Sequence, residues 1–289
     1  SDVYKRQAYV AVSVYKIILL MLGKSVLWFA VAASLDHIVL AVFLLAAYFR
    51  NGGARFSCSL SKARELLASS GSFILAGLMI SIYASTDRLM LKQMLGAEAV
   101  GHYSLAVTIS GSWAFVLAAM IDSLYPEIVR CYREDRLLYQ RKNRQLYALV
   151  LYTALAVSVC ICLAARPFIL LIYGEAYLPA VQPLRIVTWY TAFSYLGVAR
   201  NAWIVCENQQ RYLKYLYVGA AACNVALNLL LIPIWGASGA AAASLITQVA
   251  TTTLLPALFR PLRPNVKLML DAALLRGVLP EKQSNHTKE

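Results

Sequence analysis

Residues 145–165 read QLYALVLYTALAVSVCICLAA, twenty-one positions without a charged side chain. About twenty apolar residues are what a helix needs to cross the hydrocarbon core of a bilayer. The stretch does not alternate polar with apolar, so it does not read as a strand with one wet face. The same texture recurs along the chain. Hydrophobic residues make up 60% of the 289 positions and charged residues 14%, against about 25% charged in ordinary globular proteins. A soluble domain of this length has too little interior to hide that much apolar surface. Disorder is excluded on the same grounds. The fold class that follows is all-α, a polytopic transmembrane helical bundle.

Eight apolar segments are expected to span: 10–33, 36–50, 68–91, 98–125, 145–165, 183–206, 212–232 and 236–258. Basic residues cluster in alternate loops. One set holds Arg50, Arg55, Lys62 and Arg64, then Arg130, Arg133, Arg136, Arg141, Lys142 and Arg144. Arg211 and Lys214 follow, then Arg260, Arg263, Lys267 and Arg276. The intervening loops, Ser34–Asp36, Gly96–Val100 and Ile232–Ser238, are short and nearly uncharged. By the positive-inside rule the basic set is cytoplasmic, and so are both ends. The net charge of +13 is then a topology signal rather than a sign of nucleic-acid binding. After Pro264, residues 266–276 are too short to cross and read as an amphipathic helix on the cytoplasmic surface.

The first seven residues, Ser1 to Gln7, resemble translated sequencing-adapter read-through and are set aside from the fold. The N-terminal part of the parent protein is then expected to be missing. The tail from Glu281 is polar, and its Asn285-His286-Thr287 sequon is not expected to be used in a bacterial or cytoplasmic setting. The six cysteines form no C-x-x-C pair and mostly sit in apolar runs, so they read as small core residues. The three histidines are far apart in sequence and no Gly-rich phosphate loop follows a strand. No cofactor, metal or catalytic constellation is expected, and the chain is not read as an enzyme.

Polar residues inside apolar segments mark candidate function, because each charge at membrane depth costs at least about 2.5–3.5 kcal/mol. In the third segment Gly77, Ser81, Ser85, Arg88 and Lys92 recur at spacings of four and three, on one helical face. That stripe points to a hydrated, cationic pathway, or to basic residues snorkelling to the interface. Asp87 stands beside Arg88 as a candidate counter-ion. The sixth segment repeats the pattern with Tyr190, Ser194, Gly197 and Asn201, with Arg200 adjacent and near enough to an end to snorkel. In the seventh, Tyr217, Ala221, Asn224 and Asn228 share a face. The two amides suit substrate contact or interhelical hydrogen bonding equally. Asp122, four residues before Pro126, is a candidate coupling carboxylate or a water-exposed helix-end acid.

Ser85-Thr86-Asp87-Arg88-Leu89-Met90-Leu91, leading into Gly96-Ala97-Glu98-Ala99-Val100-Gly101-His102-Tyr103-Ser104-Leu105-Ala106, resembles a signature of polysaccharide flippases. These belong to the multidrug/oligosaccharidyl-lipid/polysaccharide exporter superfamily. Ser123-Leu124-Tyr125-Pro126, Tyr173-Gly174-Glu175-Ala176-Tyr177, and Asn224 to Asn228 followed by Ile232-Pro233-Ile234-Trp235-Gly236-Ala237-Ser238-Gly239 are similar to three further elements of that family, in the same order. The resemblance covers about residues 10–280. Two departures stand out: Gly111 where an acidic residue is expected before Trp113, and Leu117 where proline is frequent.

The resemblance implies twelve or more spans in two bundles. Residues 8–50 would be the last two spans of the first, 51–260 the second bundle, and 261–289 the surface helix and tail. It implies a flippase in the bacterial inner membrane, moving an undecaprenyl-diphosphate-linked oligosaccharide to the periplasmic leaflet for surface polysaccharide such as O-antigen. Its implied partners are the lipid-linked oligosaccharide, membrane lipids and polysaccharide assembly proteins. Arg88 and Arg200 would attract the diphosphate; Tyr190, Ser81, Ser85, Asn201, Asn224 and Asn228 would meet sugar. A multidrug antiporter of the same superfamily would favour acidic residues in its lumen, whereas the charge here leans basic. An envelope polymerase or ligase would need a long catalytic loop, and residues 166–182 carry only Arg166 and Glu175 as charges.

Overall fold

The computed structural model describes residues 13–23, 26–50, 52 and 59–278, and all regular structure among them is helical. The read-through-like heptapeptide, Arg55 and the tail from Glu281 lie outside the described residues, as does the side chain of Ser81. The chain divides into two compact units, Ser1–Ser69 and Ser70–Glu289.

The first unit holds α1 (residues 13–21) and α2 (Val26–Arg50), and the start of α3 (Leu60–Leu95). The expected turn at Ser34–Asp36 does not form, and α2 runs straight through it. Nothing there stops a helix: neither glycine nor proline falls between residues 26 and 50. The interruption sits instead at Gly23, whose φ of 59° is left-handed and suits a residue with no Cβ. Segments 10–33 and 36–50 are therefore not two separate helices.

The second unit continues α3 and adds α4 (Ala97–Gly111), α5 (Ala114–Glu134) and α6 (Arg136–Tyr173). A 3₁₀ turn, Glu175–Ala180, leads to α7 (Val181–Cys206) and then α8 (Leu213–Trp235). Next come α9 (Ala237–Val249), a π-helical turn (Ala250–Leu254), α10 (Leu255–Leu258) and α11 (Arg263–Ala273). Segment 98–125 is not one straight span. It bends by 40° between α4 and α5, at Gly111-Ser112-Trp113, where the Ser112 hydroxyl donates to the Ile109 carbonyl at 2.8 Å. The basic connector 126–144 is itself helical. Asp135 alone separates α5 from α6, and its carboxylate accepts from the amides of Leu137 (2.8 Å) and Leu138 (3.0 Å), an N-cap.

Among the described residues, three helical stretches are long and apolar enough to cross a membrane: Arg136–Tyr173, Gln210–Trp235 and Ala237–Leu258. The bent pair α4–α5 makes a fourth if it counts as one span. This is fewer than the eight spans expected. The case of α7 gives the reason. It is the central helix of its unit and packs against α4, α5, α6 and α9. Its polar residues are covered by protein: Thr188, Thr191 and Arg200 are all buried. A helix screened from lipid by its neighbours has no need of an apolar surface. The outer helices show the opposite arrangement, with Leu163, Leu171, Leu230 and Ile234 exposed and Leu171 87% accessible.

The C-terminal helix departs from expectation too. Its apolar face is already occupied, with Val266, Leu268, Met269 and Ala272 buried as α11 packs on α6. Three hydrogen bonds fasten the segment. Asn265 Nδ2 donates to Tyr147 Oη (2.6 Å), Tyr152 Oη to the Ala273 carbonyl (2.7 Å) and Gln145 Nε2 to the Val278 carbonyl (3.0 Å).

The α8–α9 corner turns on two glycines. Gly236 has φ 58°, and a Cβ at Gly239 would collide with the Leu231 carbonyl. The close-packed helix start read from Gly236-Ala237-Ser238-Gly239 is what the backbone adopts. Gly239→Val should therefore lower stability by about 1–3 kcal/mol, read as a lower Tm of the detergent-solubilised chain, because backbone rather than a flexible side chain blocks the added group.

Candidate functional site

Asp87 lies on the inner face of α3, one turn before the fully buried Leu91, and is 6% exposed. Its carboxylate is held from three other helices. Tyr103 Oη of α4 donates to Oδ2 at 2.7 Å, and Asn228 Nδ2 of α8 donates to Oδ1 at 2.7 Å. The Ser244 hydroxyl of α9 donates to Oδ2. Behind this first ring, Asn228 Nδ2 also reaches Asn224 Oδ1 (3.0 Å), and Asn224 Nδ2 reaches Ser244 Oγ (3.5 Å). An acid in an apolar interior is costly unless its lone pairs are satisfied, and here three helices supply the donors.

Among the described residues Asp87 makes no ion pair with Arg88, so the expected counter-ion role is not seen. The two side chains diverge. Ser85, Arg88 and Lys92 lie on the exposed face of α3, while Asp87 and Leu91 point inward. Asn224 and Asn228 are both fully buried; of their two expected roles the structure places them in interhelical hydrogen bonding.

Two adjoining cavities lie beside this cluster. The first, about 330 Å³, is lined by Asp87, Arg88 and Tyr103, with Ser110, Thr191 and Ser244. The second, about 300 Å³, is lined by Gly197, Arg200, Asn201, Tyr217, Gln248 and Thr251. Tyr190 and Ser194 belong to both walls. The stripe Tyr190, Ser194, Gly197 and Asn201 thus faces cavity along its whole length, as its four-three-four spacing requires.

Arg200 does not snorkel. It is 4% exposed, and its Nη1 donates to the carbonyls of Thr251 (3.2 Å) and Thr252 (3.5 Å). Both carbonyls belong to the π-helical turn, where the wider coil disturbs the regular i→i−4 ladder and makes backbone oxygens available. Its Nε is buried with no partner. Among the described residues no carboxylate pairs with it. The result is a buried cation beside a cavity, with donor capacity left over.

Asp122 is exposed on α5 and lines neither cavity. Sequence reasoning missed Ser244, which looked like one small residue in an alanine-rich helix. It passed over Tyr103 as a binding group, although Tyr103 stands inside the quoted signature. The π-helical turn left no pattern beyond three consecutive threonines, Thr251 to Thr253.

The hub residues Asp87 and Tyr103 and the first cavity's α3 and α4 walls fall in a part of the chain that is similar to a known family. Residues 7–132 match the polysaccharide biosynthesis protein family. The match carries the Ser85–Ala106 signature and Ser123–Pro126, so the flippase-like resemblance rests on more than isolated motifs. It ends before α6, and Arg200, Asn224, Asn228 and Ser244 lie outside it. No curated protein and no solved structure matches the chain. The match covers somewhat under half of the chain, and the long apolar helices are those of a membrane protein.

Asp87→Ala should strand the donors of Tyr103, Asn228 and Ser244, each at a cost of about 1–3 kcal/mol when buried. The expected result is a marked loss of thermal stability in detergent, with Asp87→Asn less affected because it keeps an acceptor. Equal stability of the wild type and Asp87→Ala would show that the hub holds nothing together.

Proposed function

We propose that the protein is a flippase that carries an oligosaccharide on a polyprenyl-diphosphate anchor across the bacterial inner membrane, with the basic loops and both ends of the chain on the cytoplasmic side. The observation that carries this reading is the pair of adjoining cavities with a cation in each wall, Arg88 in one and Arg200 in the other. A diphosphate-linked sugar is polar at one end and greasy at the other. Its head needs a hydrated, positively charged route through about 30 Å of hydrocarbon, while its tail stays in lipid.

Each wall residue then has a task. Arg88, on the exposed face of α3, meets the diphosphate first. Arg200, fixed by the Thr251 and Thr252 carbonyls, offers its remaining donors to the same group. Tyr190, Ser194 and Asn201 provide hydroxyl and amide contacts for sugar, whereas Ser85 lines neither cavity. The Asp87 hub ties α3 to α4, α8 and α9, so that α3 moves with its bundle when one bundle rocks against another.

A polymerase or ligase is less well supported. Residues 174–180, where a catalytic loop would be expected, form a tight 3₁₀ turn, and His102 Nε2 lies 3.2 Å from the Ala176 carbonyl. The multidrug reading would need an acid with free lone pairs in the lumen, and Asp87 has its oxygens engaged.

The test is binding of undecaprenyl-diphosphate oligosaccharide by the reconstituted chain, followed by export in a strain that depends on the gene. Arg200→Ala should weaken binding about tenfold or more, the scale of hydrogen bonds to a charged group. Arg88→Ala should reduce export with membrane insertion unchanged. Binding of the uncharged polyprenol as tightly as the diphosphate would overturn the reading.

A further inference from the structure

A third cavity lies away from both described above. It has a volume of about 410 Å³, within the usual range for small-molecule sites. Its walls come from the first turns of α6, the end of α7 and the length of α11, the end of the bundle where the basic residues gather. Arg136 is neutralised: it pairs with Glu207 at 2.7 Å and lies over the Tyr132 ring at 4.1 Å. Arg144 and Lys267 face only Asp271 as the remaining acid in the wall. Neither has an ion-pair partner among the described residues. The cavity is therefore left with an excess positive charge.

Its walls also hold unmet hydrogen-bonding capacity. The Tyr139 hydroxyl and Arg144 Nε are buried donors with no partner, and Gln209 Oε1 is a buried acceptor with none. Buried polar atoms without partners are rare enough that each calls for an explanation. Two donors beside an excess cation suit a phosphate. An acceptor next to them suits a hydroxyl on the same molecule. The neighbouring surface is greasy. Leu137, beside Arg136, and Leu270 and Leu274, on either side of Asp271, are all exposed. The arrangement is held in place by the C-terminal turn: Gly277, at φ 64°, packs so close to the Arg144 guanidinium that a Cβ would collide with it.

We propose that this cavity binds the headgroup of an anionic phospholipid with a hydroxylated headgroup, such as phosphatidylglycerol. The phosphodiester sits against Arg144, Lys267 and Tyr139, the glycerol hydroxyl against Gln209, and the acyl chains against the exposed leucines. Basic pockets at the ends of transmembrane helices commonly take such headgroups. The site latches α11 to α6 and makes the packing of the C-terminal segment depend on lipid composition. This rests on the chain being a membrane protein and not on what it transports.

The full chain is reconstituted in phosphatidylcholine nanodiscs doped with phosphatidylglycerol, and lipid retained after mild extraction is counted by native mass spectrometry. Phosphatidylglycerol should be enriched over its share of the bilayer. Lys267→Gln and Arg144→Gln should each reduce the enrichment about fivefold. Asp271→Asn should raise it, a gain that a misfolded variant does not give. Arg88→Ala, in the other cavity, should change nothing here. Equal retention by wild type and all variants overturns the proposal. So does displacement of the lipid by inorganic phosphate at millimolar concentration, which would assign the site to a free anion.

Discussion

A carboxylate inside a lipid-embedded bundle is tolerated only where the protein replaces the water it has given up, and Asp87 meets that condition with donors from three helices. Tyr103, Asn228 and Ser244 approach from α4, α8 and α9, which are brought together by the glycine corner between α8 and α9 and by α7 in the middle. The hub in turn fixes which way α3 faces. With Asp87 and Leu91 inward, the stripe of Ser85, Arg88 and Lys92 has to lie outward. Both cavities follow from that choice, since α3 forms one wall of the first and α7 carries the wall that continues into the second.

Arg200 poses the complementary problem, a buried cation, and is solved differently. Among the described residues no acid pairs with it; the π-helical turn gives up backbone carbonyls instead. A carbonyl dipole stabilises a guanidinium without cancelling its charge, so the residue stays cationic in its effect on the cavity. Had Arg200 been paired with a carboxylate, the second cavity would be close to neutral.

Much of this could be read from the sequence, and the failures have physical causes. Helical class followed from texture alone, and the stripe Tyr190, Ser194, Gly197 and Asn201 was placed on one face by spacing. Which face of α3 turns inward could not be read, because Asp87 and Arg88 are adjacent and the choice depends in part on Asn228 and Ser244, more than a hundred residues away. The turn misplaced at Ser34–Asp36 came from treating two polar residues as a stop signal, when helices stop for backbone reasons such as those at Gly23. Ser244 was invisible because a serine in an alanine-rich helix has no local signature; only its distance from Asp87 reveals it. The surface helix after Pro264 had the right amphipathic pattern, but a pattern cannot say whether lipid or α6 covers its apolar side.

The burial of α7 bears on how the chain reaches the membrane. A segment carrying Arg185, Arg200 and a row of hydroxyl side chains gains little from meeting lipid on its own, since each arginine at the centre costs about 2.5–3.5 kcal/mol to insert. α6 precedes it and is among the helices apolar enough to partition unaided. Ser158 Oγ of α6 donates to the Thr188 carbonyl, and Arg185 Nε of α7 donates to the Cys162 carbonyl, so the two are already matched as a hairpin. That matching favours insertion of α6 and α7 as a pair over insertion of α7 by itself.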